Sequence, residues 1–566
     1  MLSGFQTISG LKCRAHNHAS IIPIGAYLLC LITLLSGQQQ YAYGIQDSSK
    51  TVFGNIRIIR LDIFDPVGGN FRWIQEFANK LHIQSRHLVV EREILFTEGN
   101  SFRPDLLKET ERNLRQLQYL GRVSVTADQS NLFRKNVMVL TQDQWSTVLE
   151  FSAGREGGRN HFKTGIAEQN FLGLGQHISV KYVVLSTGNF IASKFDEMRL
   201  LNTRWALHLQ KIQGVDRNFF IGELVRPLFS LNSRWSAGFS ITDGSAKSRL
   251  YENGTESDSF RSEGTILESF LVRSFGSRYD KTNLRFGYGF TDANFTPYWF
   301  TRNLNNVTPD DKYYRVGIGL EKDRFSYVEE YQIDRFQRVE DIKLGTRWYG
   351  EINLAHRMSS AVRYRPSQFL QVKFGHNLSL KLPWYQYFLG EGSVSSRVES
   401  GNFRHTITQL NFRYYNKILP HQTFASNLVG IYGRKLDPGW QYTLGEDNGL
   451  RGHESFRFTG QKMFLLNFED RIFTPWQLFW TGIGAAVFLD GGYVWNSTEP
   501  VKFRDVRFSV GAGLRLSLNK SAGSKVVRFD FAKPLHGKGF LISIANDHIF
   551  LVNPIKEIFR FPGMVF

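Results

Sequence analysis

The sequence predicts an all-β transmembrane barrel of antiparallel strands, preceded by a small α+β module. Three observations carry this reading. From Trp145 onward, strand after strand alternates apolar and polar residues. Aromatic residues and glycine are abundant, with 48 Phe and 51 Gly against 15 Pro. Several late strands also carry fixed charge opposite an apolar face. Alternation assigns one parity to each face of a strand. A charged face has no place in a soluble core, but it fits a barrel with lipid outside and water inside. A soluble sandwich would alternate in the same way. An export-like leader, strands near the ~9–11 residues that cross a bilayer, and glycine-rich polar faces favour the barrel.

The elements follow in order. Residues 1–44 read as an export signal. Lys12 and Arg14 precede an apolar run from Ile21 to Leu35, and Ala42-Tyr43-Gly44 offers small residues for cleavage. Residues 45–144 read as a compact module. Val52 to Ile63 alternates as a strand, Phe71 to Leu81 has helical spacing, and Ser101 or Pro104 opens a second helix through Gln116. Val123–Thr126 and Asn136–Leu140 then form a hairpin, giving strand, helix, helix, strand, strand.

Residues 145–550 are the predicted barrel. Val506 to Leu518 is its clearest strand, with Val510, Leu514 and Leu518 on one face and Ser509, Arg515 and Ser517 on the other. Leu284, Phe286, Tyr288 and Phe290 likewise oppose Asn283, Arg285, Gly287 and Gly289. The last strand is placed at Phe540 to Phe550, with residues 551–566 as a C-terminal tail. Phe566 is the competing candidate for the terminal aromatic.

Seven segments together resemble the BamA/TamA superfamily of outer-membrane assembly and secretion barrels. Residues 52–144, with Glu98-Gly99-Asn100-Ser101-Phe102 and Leu117-Gln118-Tyr119-Leu120-Gly121, resemble one POTRA domain. Asn170-Phe171-Leu172-Gly173-Leu174-Gly175 resembles an early barrel turn. Leu450-Arg451-Gly452-His453 resembles the signature at the tip of a loop folded into the lumen, with His453 where the family prefers an aromatic. Asn467, Glu469 and Arg471 match the strand after that loop. Phe488-Leu489-Asp490-Gly491-Gly492 resembles the next signature strand, and Val527-Arg528-Phe529-Asp530 with Pro534 the penultimate one. The resemblance implies about 16 antiparallel strands, with first and last meeting at a weak seam.

The same resemblance implies that Arg451 and Asp490 meet inside the barrel. A guanidinium offers two parallel donors to a carboxylate, a geometry lysine lacks. Gly452 permits a tight turn at the loop tip. This pair either only pins the loop or makes the pinned loop a gate. Glu469, Arg471, Arg528 and Asp530 read as lumenal charges beside it, as do Arg507 and Arg515.

Other classes find little support. There is no G-x-S-x-G, H-E-x-x-H or P-loop, and the 14 histidines show no metal-ligand spacing. No catalytic residue, metal or cofactor is expected. Cys13 and Cys30 are the only cysteines, and both fall in the leader. Most of the net +18 lies in residues 145–566. It fits anionic headgroups or an acidic cargo, and no nucleic-acid motif accompanies it. The expected location is the bacterial outer membrane, with the N-terminal module in the periplasm. The expected function is insertion or translocation of an extended polypeptide client, captured by the module and passed through lumen or seam. The alternative is a lipid, glycan or solute pore. Expected partners are outer-membrane lipids, the client and a periplasmic protein docked on the module.

Overall fold

The computed structural model describes residues 51–545, except 66–70, 129, 157–158, 186–187, 299–309, 361–364, 497–501, 525 and 538. The leader 1–44, Phe550 and the tail 551–566 therefore lie outside the described residues. Among the described residues, no helix is long and apolar enough to cross a membrane.

The N-terminal module comprises β1 (Val52–Leu61), α1 (Arg72–Leu81), α2 (His87–Glu91), α3 (Pro104–Gln116), β2 (Leu120–Ala127) and β3 (Arg134–Asp143). Its sheet runs β1-β3-β2, with β1 parallel and β2 antiparallel to β3. Phe53, Val90, Leu106, Leu114, Leu120 and Val139 form its core. Phe53 stacks on Phe96 at 4.4 Å. Helix α3 starts at Pro104, where proline's missing N–H costs nothing. Asp105 in its first turn and Arg115 in its last complement the helix dipole. The five-residue α2 was not expected, being too short to show a period.

Among the described residues the barrel is a closed sheet of 20 strands, from Thr147–Glu156 to Leu541–Ala545, with the last strand beside the first. The count exceeds the 16 implied by resemblance. Alternation marks strands without numbering them, and closure is satisfied at any consistent strand number and shear. The wall is uneven. The six strands from Thr147–Glu156 to Arg217–Arg226 span 9 to 13 residues. The five from Trp235–Glu252 to Glu340–Ser360 span 18 to 22. Parity behaves as expected on the clearest strands. Val510, Leu514 and Leu518 are exposed on the outside, while Ser509, Arg515 and Ser517 are buried on the inside.

Two segments turn inward. At the end away from the module, a short hairpin pairs Tyr442–Leu444 with Phe458–Gly460. Its Tyr442, Leu444 and Leu450 pack on Val429, Ile431, Met463 and Leu465 of the wall. The inner face is therefore apolar where the hairpin rests and charged below it. At the module end, the turn 331–339 folds in from the other side. Phe336 meets Phe473 at 4.9 Å, and Thr423 Oγ1 donates to Gln332 O at 2.5 Å. The Glu340 carboxylate accepts the backbone N–H groups of Ile333, Asp334 and Arg335, which fixes the turn's shape.

The module docks on turn after turn at one barrel mouth. Arg86 N–H donates to Gly173 O at 2.9 Å, and Arg92 Nη2 donates to Leu174 O at 3.1 Å. A Cβ on Gly173 would stand 2.5 Å from Gln84 O, so this close approach requires glycine. Arg199 Nη2 donates to Glu93 Oε2 at 2.5 Å. Arg115 makes a fork on Asp341 at 2.7 and 3.0 Å and reaches Glu329 at 2.7 Å. Arg112 lies over the Tyr327 ring at 3.8 Å. The charged side of α3 is thus buried against the barrel.

Candidate functional site

The hairpin tip carries Leu450-Arg451-Gly452-His453. Gly449 and Gly452 adopt φ of +98° and +82°, the left-handed region that glycine enters without strain. A Cβ on Gly452 would press Ala532 Cβ and Ser509 Cβ at 3.3 Å, so the tip lies against the wall. Leu450 is fully buried and anchors the apolar side.

From this tip Arg451 reaches down to the strands. Nε donates to Asp490 Oδ2 at 2.6 Å and Nη2 to Asp490 Oδ1 at 2.8 Å, a bidentate pair. Nη1 donates to Glu469 Oε2 at 2.9 Å and lies 3.8 Å from Asp530 Oδ2. The guanidinium carbon sits 3.3 Å from the Phe488 ring centroid, so both its edge and its face are engaged. Asn467 Nδ2 donates to Asp490 Oδ1 at 2.7 Å and to Gly449 O at 2.8 Å, bridging strand and loop. Burial disfavours the charged guanidinium, but Asp490 and Glu469 outweigh it and hold its pKa above the ordinary arginine range. Burial pushes the His453 imidazole down.

The network continues. Arg515 Nη1 donates to Asp530 Oδ1 at 2.5 Å, and Arg528 Nη1 to Asp530 Oδ2 at 3.0 Å. Arg471 Nε donates to Glu469 Oε1 at 3.0 Å. Arg471 Nη1 then donates to Asp334 Oδ1 and to Ile333 O, both at 2.6 Å. Arg451, Arg471, Arg515 and Arg528 thus face Glu469, Asp490 and Asp530 on the wall. Asp334 of the inturned turn supplies the fourth carboxylate. Buried charges are tolerated when paired and hydrogen-bonded in this way. The same turn places Arg338 on the backbone carbonyls of Arg115, Leu117 and Gln118, at the end of α3. One chain of contacts therefore runs from the hairpin tip to the module.

The structure brings together Leu450, Arg451, Gly452, His453, Glu469, Arg471, Asp490, Arg528 and Asp530. Arg515 joins them, while Arg507 lies at the start of its strand opposite Gly492. Phe540 is not part of the cluster. It stands exposed just before Leu541–Ala545, the described part of the last strand. Asp334 and Arg338 were missed. The pair of apolar residues Ile333 and Phe336 in a polar turn was the available signal. The arrangement is a clamp: it fixes a loop by multidentate charge pairing.

Fold and clamp together define an outer-membrane barrel with a loop pinned inside it and an N-terminal periplasmic module. Residues 170–540 match the Omp85 superfamily domain, and the chain belongs to that superfamily. Its members serve protein insertion and secretion at the outer membrane. Among solved structures, the chain is similar to BamA from Haemophilus ducreyi lacking POTRA domains 1–3, at 14% identity and TM-score 0.38 over 87% of this chain and 83% of that one. It is similar to CdiB from Escherichia coli at 12% identity and TM-score 0.44, over 89% and 79%. CdiB from Acinetobacter baumannii gives 12% and 0.41, over 92% and 96%. A search of curated proteins gives no significant match.

Proposed function

We propose that this protein moves an extended polypeptide from the periplasm into or across the outer membrane, with the inturned hairpin as a clamped gate. The observation that carries this is the Arg451 clamp on Asp490 and Glu469, continued through Arg471 and Asp334 toward the module. No nucleotide is available at this membrane, so work comes from binding and folding. The client's strand would add to the outer edge of β2, which pairs with β3 on its other side. Backbone pairing there gives affinity without demanding a sequence. Docking of the module on the turns would then transmit capture to Asp334 and the hairpin. The last strand, beside the first, offers the exit seam.

An open solute pore fits less well, because both inturned segments occupy the inner face. The test is photo-crosslinking in cells from single positions in Leu120–Ala127 and Leu541–Ala545. Trapped polypeptides from both regions are expected. Recovery of none from either would remove the translocation reading.

A further inference from the structure

Helix α1 has an apolar stripe that stays exposed among the described residues. Trp73, Phe77 and Leu81 recur at i, i+4 and i+8, so they share one face over about 12 Å of helix. They are 68%, 57% and 59% exposed, and α1 contains no buried residue. The opposite side is the one that packs. Asn79 bonds both the N–H and the C=O of Phe64, while Ile74 and Ala78 are half-buried. Arg72 and Lys80 flank the stripe and are exposed. Three large apolar side chains in a row are unusual on a face that stays in water.

The stripe does not stand alone. Phe71, just before α1, meets Phe479 edge-on at 5.1 Å. Phe479 is in the turn that ends strand Lys462–Leu478, beside exposed Trp476 and Leu478. That strand presents Phe464, Leu466 and Phe468 on its outer, lipid-facing side. Phe64 also meets Trp480 of the same turn at 4.7 Å. Asp470 and Thr474 interrupt that side, and below them the aromatic rim at Trp476, Phe479 and Trp480 joins the edge of the barrel wall to α1. A short helix with Trp, Phe and Leu on one side and cations beside them matches the interfacial membrane environment.

We propose that α1 is a membrane-interface anchor. Its Trp73–Phe77–Leu81 stripe enters the periplasmic leaflet beside the barrel, with Arg72 and Lys80 at the lipid phosphates. The module is then held from two sides, by the barrel turns and by lipid. This does not depend on what the barrel transports.

Nitroxide depth measurements test it. The only native cysteines are in the expected leader, so an introduced thiol is unique in the mature chain. Full-length mature protein carrying one label at 73, 77, 81 or 76 is placed in phosphatidylethanolamine–phosphatidylglycerol vesicles. Labels at 73, 77 and 81 should favour oxygen over a nickel chelate several-fold more than a label at 76. Trp73→Glu with Leu81→Glu alters exposed positions only, and should abolish that preference at 77 while the barrel stays folded. Equal chelate access at all four positions would overturn the proposal. So would protection that appears only on adding reduced, carboxymethylated α-lactalbumin, which would assign the stripe to client instead of lipid.

Discussion

At the scale of single residues, Arg451 concentrates the argument. Arg451→Ala leaves Asp490 and Glu469 buried with fewer partners, a loss of about 3–5 kcal/mol at the clamp. Arg451→Lys should rescue little, because an ammonium cannot bond Asp490 through two parallel donors. The apolar pair Arg451→Met with Asp490→Leu should recover part of the lost thermal stability, since it removes the orphaned charge. Unfolding in detergent reads these differences, and planar-bilayer conductance separates the two roles of the pair. Higher conductance at normal barrel abundance indicates a gate, and unchanged conductance indicates a pin. His453 adds a pH term. Burial holds its folded pKa below the unfolded value near 6.5. The neutral ring's contribution is then complete above the unfolded value and is lost as pH falls below it and through the lower folded pKa. Conductance fluctuations should rise as pH falls below about 6.5, and His453→Phe should flatten that response. Arg451, Asp490 and Glu469 were legible because each belongs to a short ordered signature. Asp334 was not, because a single aspartate in a polar turn looks like solvent-facing punctuation until the turn is seen to fold inward.

At the scale of elements, the inturned turn 331–339 is the part the sequence hid best. Phe336 is buried against Phe473, and a Cβ on Gly484 would stand 2.5 Å from the Phe336 ring. Gly484 is therefore a seat for an aromatic ring as well as a strand residue. Phe336→Ala should cost about 3–5 kcal/mol of local docking, and Gly484→Ala should expel the ring. Either change should raise hydrogen exchange in residues 331–339 while leaving the strands on both sides protected. If exchange there is already fast in the parent protein, the turn is not docked in solution. Strong periodicity made α1 readable to within a residue and placed the end of α3, while its start stayed open between Ser101 and Pro104 until the proline proved to be the first helical residue. The five-residue α2 gives no period, and 20 strands could not be counted from alternation that only marks each one. Met463 and Leu465 show a further limit. Their parity points inward, yet they are apolar because the hairpin, not water, covers them.

At the scale of the whole molecule, hydropathy misleads for a physical reason. Each strand gives half its side chains to the interior, so a mean hydropathy of −0.28 coexists with a lipid-facing wall. The alternation recovered that wall, but nothing local announced how closely the module is joined to it. The joint shows as buried charge on α3. Glu109 pairs with Arg278 and accepts the Leu231 N–H at 2.6 Å, while Arg278 Nε lies 2.8 Å from Asp105. In the sequence those residues look like the solvated side of an amphipathic helix, because their partners come from turns more than a hundred residues away. Glu109→Lys should therefore weaken docking without unfolding the module, whose apolar core lies on the other side of α3. Arg278→Glu should do the same, and the two together should restore much of the joint through the reversed pair. Spin-label distances between residues 131 and 385 should broaden in each single variant and narrow again in the double. Since the pair is largely buried, salt should change those distributions far less than the substitutions do. If the single variants leave the distances sharp, the hold on the module resides in the Arg115–Asp341 fork and the lipid contact of α1.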